Sequence, residues 1–139
     1  MIREIESDED VRRSFAVMRQ LRPHLEEDEY VRRVREQRAG GYRLAVVEEA
    51  GVVRAAGGFR IMDMLVQGRH MYVDDLVTDE AERSKGHGDA LFDWLVMTAK
   101  AAGCVTFELD SGVHRTRAHA FYFRKRMHIA SYHFKMDIR

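Results

Sequence analysis

Apolar residues along the chain change their period several times, and each change marks an element. Ser7 and Asp10 have the spacing of a capping box, and Val11, Phe15 and Met18 follow at helical intervals, which predicts a helix over residues 8–20. Past Arg22-Pro23, the charge-dense residues 26–38 carry Tyr30, Val31 and Val34 on one side and stop at Gly40-Gly41, a second, weakly amphipathic helix. From Tyr42 the period shortens. Residues 44–47 and 52–61 are β-rich runs with a turn near Gly51, the pattern of an antiparallel hairpin. A third run, 70–78, leads into a helix on which Leu91, Trp94, Leu95, Thr98 and Ala102 recur at helical spacing until Gly103.

Val105, Phe107 and Leu109 then alternate with Thr106, Glu108 and Asp110, a half-buried strand. Strand, helix and strand in that order predict a right-handed crossover with parallel pairing. Ala118, Phe121 and Tyr122 mark a short helix beyond Gly112. Ala130, Tyr132, Phe134, Met136 and Ile138 alternate strictly to the end, which predicts a closing strand. Together these elements predict an α/β (α+β) fold, a mixed, mostly antiparallel sheet with helices on its faces.

The 139 residues amount to one domain, 1–139, at the usual allowance of roughly 100–200 residues each. Apolar residues at 45% and charged residues at 33% exclude bulk disorder. The 23 basic and 23 acidic residues cancel, so no overall field draws the chain to nucleic acid or to an anionic membrane, and any phosphate binding must be local. A lone Cys104 forms no internal disulfide, which points to a reducing, cytoplasmic compartment; following Gly103 at the head of a strand, it reads as core. No apolar run approaches the roughly 18 residues of a membrane span, and Met1-Ile2-Arg3-Glu4 lacks a signal peptide's apolar centre, so the chain reads as mature. The seven histidines are scattered, with His114 and His119, and His128 and His133, five residues apart and no His-Glu-x-x-His helix; no metal is expected.

The chemistry concentrates between Tyr72 and Ala90. Arg83-Ser84-Lys85-Gly86-His87-Gly88 is a basic, glycine-bearing loop between a strand and a helix start. Unpaired backbone N–H groups there, with the positive end of the helix dipole, make an anion site that glycine lets phosphate oxygens approach closely. A pyrophosphate suits it. No Gly is followed by Lys-Ser/Thr, which excludes a nucleotide-hydrolysing loop, and Leu91 stands where a dinucleotide fingerprint needs its third Gly. An ordinary strand-to-helix turn with solvated Arg and Lys is the plainer alternative.

In that context Arg83-Ser84-Lys85-Gly86-His87-Gly88 resembles the Arg/Gln-x-x-Gly-x-Gly/Ala loop of the GNAT superfamily of acetyl-CoA-dependent N-acetyltransferases. The resemblance extends over nearly the whole chain, because the strand before the loop, the helix after it, the 105–110 strand and Ala118-His119-Ala120-Phe121-Tyr122 fall in the family's order. It implies that Arg83, Ser84, Lys85, Gly86, His87 and Gly88 hold the pyrophosphate of acetyl-CoA, the cosubstrate. It also implies that Leu76, Val77 and Thr78 pair with the pantetheine arm, with a Val77 N–H meeting the oxyanion, and that Tyr122 protonates the departing thiolate. Glu80 replaces a common Pro, His87 a usually apolar or aromatic residue, and Arg126-Met127 a common Gly-Phe; these affect the loop shape and the final turn.

An amine with a pKa of about 10.4 must lose a proton before it attacks, so a base is needed. Asp74 and Asp75 should point to opposite sheet faces because strand side chains alternate. Asp74 is the candidate, on the face of Tyr72 where family members with a carboxylate on this strand carry it; a structural ion pair is the plainer reading for either residue. Tyr122 likewise reads as a buried aromatic with a hydrogen-bonded tip if it is not the acid. The first two helices commonly border the acceptor site in this family, although 26–38 also reads as a solvated face. The expected activity is acetyl transfer to a primary amine of a small molecule by direct attack, with an acyl-CoA-binding sensor as the alternative and homodimerisation as a family habit.

Overall fold

The computed structural model describes Met1–Arg139 throughout. Its elements are β1 (Ile2–Ile5), α1 (Asp8–Arg13), α2 (Phe15–Leu21), α3 (Glu27–Arg38), β2 (Arg43–Glu49), β3 (Val52–Met64), β4 (Gly68–Thr78), a 3-10 turn (Glu80–Glu82), α4 (His87–Ala101), β5 (Thr106–Leu109) and α5 (Thr116–Arg124). They form two compact units, Met1–Glu108 and Leu109–Arg139.

The sheet runs β1-β2-β3-β4-β5 in space. Its first four strands pair antiparallel in sequence order, and the α4 crossover brings β5 beside β4 to complete a mixed sheet. Helices pack on both faces, as two neighbouring glycines show. A Cβ on Gly57 would stand 3.3 Å from Leu95 and 3.4 Å from Leu91 on α4, whereas one on Gly58 would collide with the Tyr42 ring on the other face. Beneath α1–α3, the core gathers Ile5, Met18, Tyr30, Val34 and Leu44.

The first unit departs from the pattern-based expectation at two elements and one residue. The helix over 8–20 breaks at Ser14, whose buried hydroxyl donates to Val11 O at 2.6 Å and shares a 2.7 Å hydrogen bond with Tyr30 OH. That local bonding competes with a continuous helix and ties the joint to α3. β1 was not foreseen; it is four residues long with apolar ends only, and it forms because Ile5 enters the core while Arg3 and Glu4 find Asp10, Glu48 and Arg43. Cys104 is half-buried rather than core, since the first residues of the β5 segment are exposed.

The second unit holds α5 and the chain end. No ladder includes residues 125–139, so the expected closing strand does not form within the chain, and Tyr132, Phe134, Met136 and Ile138 stand 84–91% exposed. Alternation prepares a strand, but the backbone hydrogen bonds of a strand need a neighbour.

Candidate active site

The site grows from an irregularity in the β3–β4 ladder. Gly58 pairs with Asp75, but the next residue, Phe59, pairs with Val73, so Asp74 is an extra residue in a β-bulge. The bulge corrects the expectation that Asp74 and Asp75 face opposite sides. Both line one cleft of about 470 Å³, together with Tyr72. Simple alternation assumes an unbroken register, and here the register shifts between the two carboxylates.

Each carboxylate has a different set of partners. Asp75 accepts from Arg22 Nε at 2.9 Å and from Tyr42 OH at 2.7 Å. Gly58 makes the second contact possible, because a Cβ there would lie 1.7 Å from the Tyr42 hydroxyl. Arg22 also spans to the Asp74 carbonyl at 3.0 Å, bracing the bulge from the end of α2. Asp74 accepts from Arg60 Nε at 3.0 Å, and the same guanidinium lies 5.4 Å from the Tyr72 ring centroid. These pairs match the plainer, structural reading of the two aspartates.

Burial raises the Asp74 carboxyl above its ordinary value, with Arg60 offsetting part of the rise. That makes it a stronger base than a solvated aspartate. Burial also drives the Tyr42 phenol well above its usual value, with the Asp75 charge adding to it, so Tyr42 stays a donor to Asp75. Tyr30, at the cleft wall, is pushed up to about 12 by burial. Helix α3 is more than a solvated face, because Arg33 and Gln37 join Tyr30 and Val34 in lining the cleft. Spacing did not reveal Tyr42, Arg22 or Arg60; the usable signal was Gly57-Gly58 inside a strand, which marks a bulge or a close approach.

The loop lies at the C-terminal end of β4. Ser84 and Gly86 both take positive φ, 74° and 85°, and Gly86 caps α4 without a side-chain hydrogen bond. A Cβ on Gly88 would lie 2.8 Å from Thr78 Oγ1, so the helix start sits directly against the strand end. Glu82 holds Lys85 at 2.6 Å and Arg54 at 3.2 Å, while Arg83 is only 4.0 Å from an exposed Glu80. The Lys85 ammonium keeps the Glu82 carboxyl below its ordinary range. His87 Nε2 is buried without a hydrogen-bond partner. A loop with two positive-φ positions, a helix start with unpaired N–H groups, the surface cations Arg83 and Lys85 and an orphaned ring nitrogen together suit a diphosphate.

β5 enters the sheet beside the start of β4, where Val105 N donates to Arg69 O at 2.8 Å. It is four residues long against eleven in β4. At one residue per step it extends no further than about Val73, leaving Leu76–Thr78 beyond its reach. One expectation on this stretch changes. Asp79 N donates to Arg54 O at 2.8 Å, and exchanging pairs alternate along an antiparallel ladder, so Val77 opposite Ala56 turns its N–H into the sheet. The N–H groups of Leu76 and Thr78 face the other edge. In the second unit, Tyr122 lies half-buried on α5, edge-on to Phe121, and burial raises its phenol while Arg115 lowers it.

A mixed sheet with a bulge in β4, a glycine-bearing loop between β4 and α4, and a carboxylate-lined cleft are the setting for the family comparison. The chain belongs to the Acetyltransferase (GNAT) family, which it matches over residues 3–128, and it is an acyltransferase. It is 32% identical over 139 residues to the uncharacterized N-acetyltransferase YhdJ of Bacillus subtilis (strain 168), covering 99% of this chain and 98% of that protein. The structure of glucosamine-6-phosphate N-acetyltransferase from Arabidopsis thaliana superposes with a TM-score of 0.80 at 26% identity, covering 100% of this chain and 98% of that one. A ribosomal-protein-alanine N-acetyltransferase from Brucella melitensis biovar Abortus 2308 shares the fold with a TM-score of 0.85 at 16% identity, covering 99% of each chain. No group of three or more His, Cys, Asp or Glu side chains is placed to hold a metal ion, and no helix is long and apolar enough to cross a membrane.

Proposed function

We propose that the protein transfers the acetyl group of acetyl-CoA to the primary amine of a small-molecule acceptor by direct attack, as one domain of 139 residues working in the cytoplasm. The observation that carries this reading is the bulge at Asp74, which turns two carboxylates into one cleft on the strand that leads into the anion cradle. A cleft of about 470 Å³ has the size of a small-molecule site.

Acetyl-CoA, when bound, supplies an activated thioester carbonyl. The chain's own groups do the rest. Arg83 and Lys85, with the Gly86, His87 and Gly88 backbone at the head of α4, bind the diphosphate, and Ser84 sets the turn between the two cations. The edge of Leu76, Val77 and Thr78 aligns the pantetheine arm, with the outward N–H of Leu76 or Thr78 donating to the oxygen on which charge develops. Asp74, made more basic by burial, accepts the proton of the incoming ammonium; Asp75, fixed by Arg22 and Tyr42, positions the bulge. The family resemblance assigns the leaving-group proton to Tyr122, and a phenol held protonated by burial is suited to that role.

Release of free thiol from acetyl-CoA across a panel of small amines, polyamines, aminoglycosides, amino-sugar phosphates and peptide N-termini tests the reading. Amine-dependent thiol release is the expected result. Binding of acetyl-CoA without release for any amine makes the chain a sensor, and absence of binding removes the reading altogether. Arg83→Ala should weaken acetyl-CoA binding roughly 10–100-fold, through loss of one charge-assisted contact.

A further inference from the structure

The cleft that holds Asp74 carries more positive charge than a site for a simple amine needs. Three guanidiniums line it, Arg22, Arg33 and Arg60, against two carboxylates, Asp74 and Asp75. Each carboxylate already has a guanidinium of its own, Asp75 with Arg22 at 2.9 Å and Asp74 with Arg60 at 3.0 Å. Those two partly buried pairs cancel, which leaves Arg33 as the uncancelled charge among the cleft residues. Arg33 pairs with Glu29, one turn back on α3 and outside the cleft lining, at 3.1 Å. An exposed pair at that helical spacing contributes little, so the guanidinium is open to a stronger acceptor.

The period of α3 brings Arg33 to this place. Tyr30, Arg33, Val34 and Gln37 share one helix face, on which Tyr30 and Val34 enter the core while the exposed Arg33 and Gln37 reach the cleft. His24, in the turn between α2 and α3, also lines it and offers a ring N–H. The donors therefore come from α3 and the turn before it, whereas Asp74 comes from β4. A molecule that fills about 470 Å³ here meets a carboxylate on one element and a guanidinium, an amide and an imidazole on the others.

We propose that the acceptor is a small amine that also carries an oxyanion, a carboxylate or a phosphate, with its ammonium at Asp74 and its oxyanion on Arg33, Gln37 and His24. The proposal rests on the acetyl-transfer reading and names the acceptor class within it. A guanidinium presents parallel N–H donors that match the edge of a carboxylate or a phosphate. A polyamine is the opposite case. Its second ammonium finds no cleft carboxylate without a guanidinium and lies near Arg33, a like-charge contact that costs affinity.

Matched acceptors test the class on the full-length protein. γ-Aminobutyrate, butylamine and putrescine have the same chain length and end in a carboxylate, a methyl group and a second ammonium; aminoethyl phosphate and ethanolamine make the comparison for a phosphate. In thiol release from acetyl-CoA, an oxyanion bearer should exceed its neutral partner roughly 10–100-fold in kcat/KM, the worth of one charge-assisted contact, with putrescine lowest. Whichever of γ-aminobutyrate and aminoethyl phosphate shows that advantage names the oxyanion. Arg33→Ala should pull the ratio toward one, through KM, and Arg33→Glu should turn it in favour of putrescine. Butylamine or putrescine accepted as well as both oxyanion bearers overturns the proposal and leaves acetyl transfer standing. Calorimetry with the same amines in the presence of free CoA separates the two readings when no thiol is released. Arg33-dependent binding of an oxyanion bearer in preference to its neutral partner upholds the acceptor site and ends the transfer reading, whereas equal or absent binding overturns the proposal.

Discussion

The two compact units, Met1–Glu108 and Leu109–Arg139, have similar proportions of apolar side chains in their patterned stretches, yet they bury them very differently. Every fully buried residue belongs to the first unit, including the polar Ser14, His70 and Glu82, whereas α5 and residues 125–139 contain none. Residues 44–47 are a continuous apolar run and residues 130–138 alternate, yet both read as strands in sequence. In the first case β1 and β3 flank the run on both sides; in the second no strand of the same chain does. Hydrophobic period specifies which face a segment can bury, and a partner decides whether it buries it.

The strongest test of the comparison is whether the thinly buried unit is indispensable to chemistry. Tyr122→Phe keeps the ring and removes the hydroxyl, so it should lower turnover by roughly 10²–10⁴ with little change in acetyl-CoA affinity. Full activity in the variant, measured as thiol release, would confine the chemistry to the first unit. Asp74→Asn is the matching substitution there. It should cut turnover by a factor of roughly 10² and remove the acid limb of the kcat/KM profile, a limb displaced upward from the ordinary aspartate value because burial raises the Asp74 carboxyl. The sign for stability is also fixed. A carboxyl whose folded pKa is raised favours the fold below its unfolded value and loses that contribution as pH rises through the folded value. The stability of Asp74→Asn relative to wild type should therefore rise over that same interval, read from chemical denaturation at a series of pH values.

Leu95→Ala tests the buried side of the comparison. Leu95 is fully buried on α4 over Gly57, and its truncation leaves a cavity costing about 2–5 kcal/mol. A loss much under 1 kcal/mol in chemical denaturation would show that the α4 layer contributes less than its burial indicates.

Much of this arrangement was legible in the residues themselves. Glycines and helical spacing located α3, α4 and the loop between β4 and α4 to within a residue or two, since those signals are local: Gly86 takes a positive φ and Gly103 ends α4 by doing the same. The family followed from the cradle in its context. What stayed hidden depends on residues far apart in sequence. The bulge at Asp74 exists in the register between β3 and β4, and the Asp75 partners Arg22 and Tyr42 lie 53 and 33 positions away. The direction of the Val77 N–H depends on the parity of the same ladder. β1 was missed for a related reason, because a four-residue run carries little pattern of its own and its partners Glu48 and Arg43 are brought to it only by the register with β2.

The smallest expected effect separates the two units most cleanly. Phe134 is 91% exposed, so Phe134→Ala removes almost no buried surface. In chemical denaturation its unfolding free energy should stay within about 0.5 kcal/mol of wild type, the range of ordinary surface substitutions. A larger deficit would mean that the ring packs within its own unit, and the contrast between a deeply buried unit and a thinly buried one would not hold.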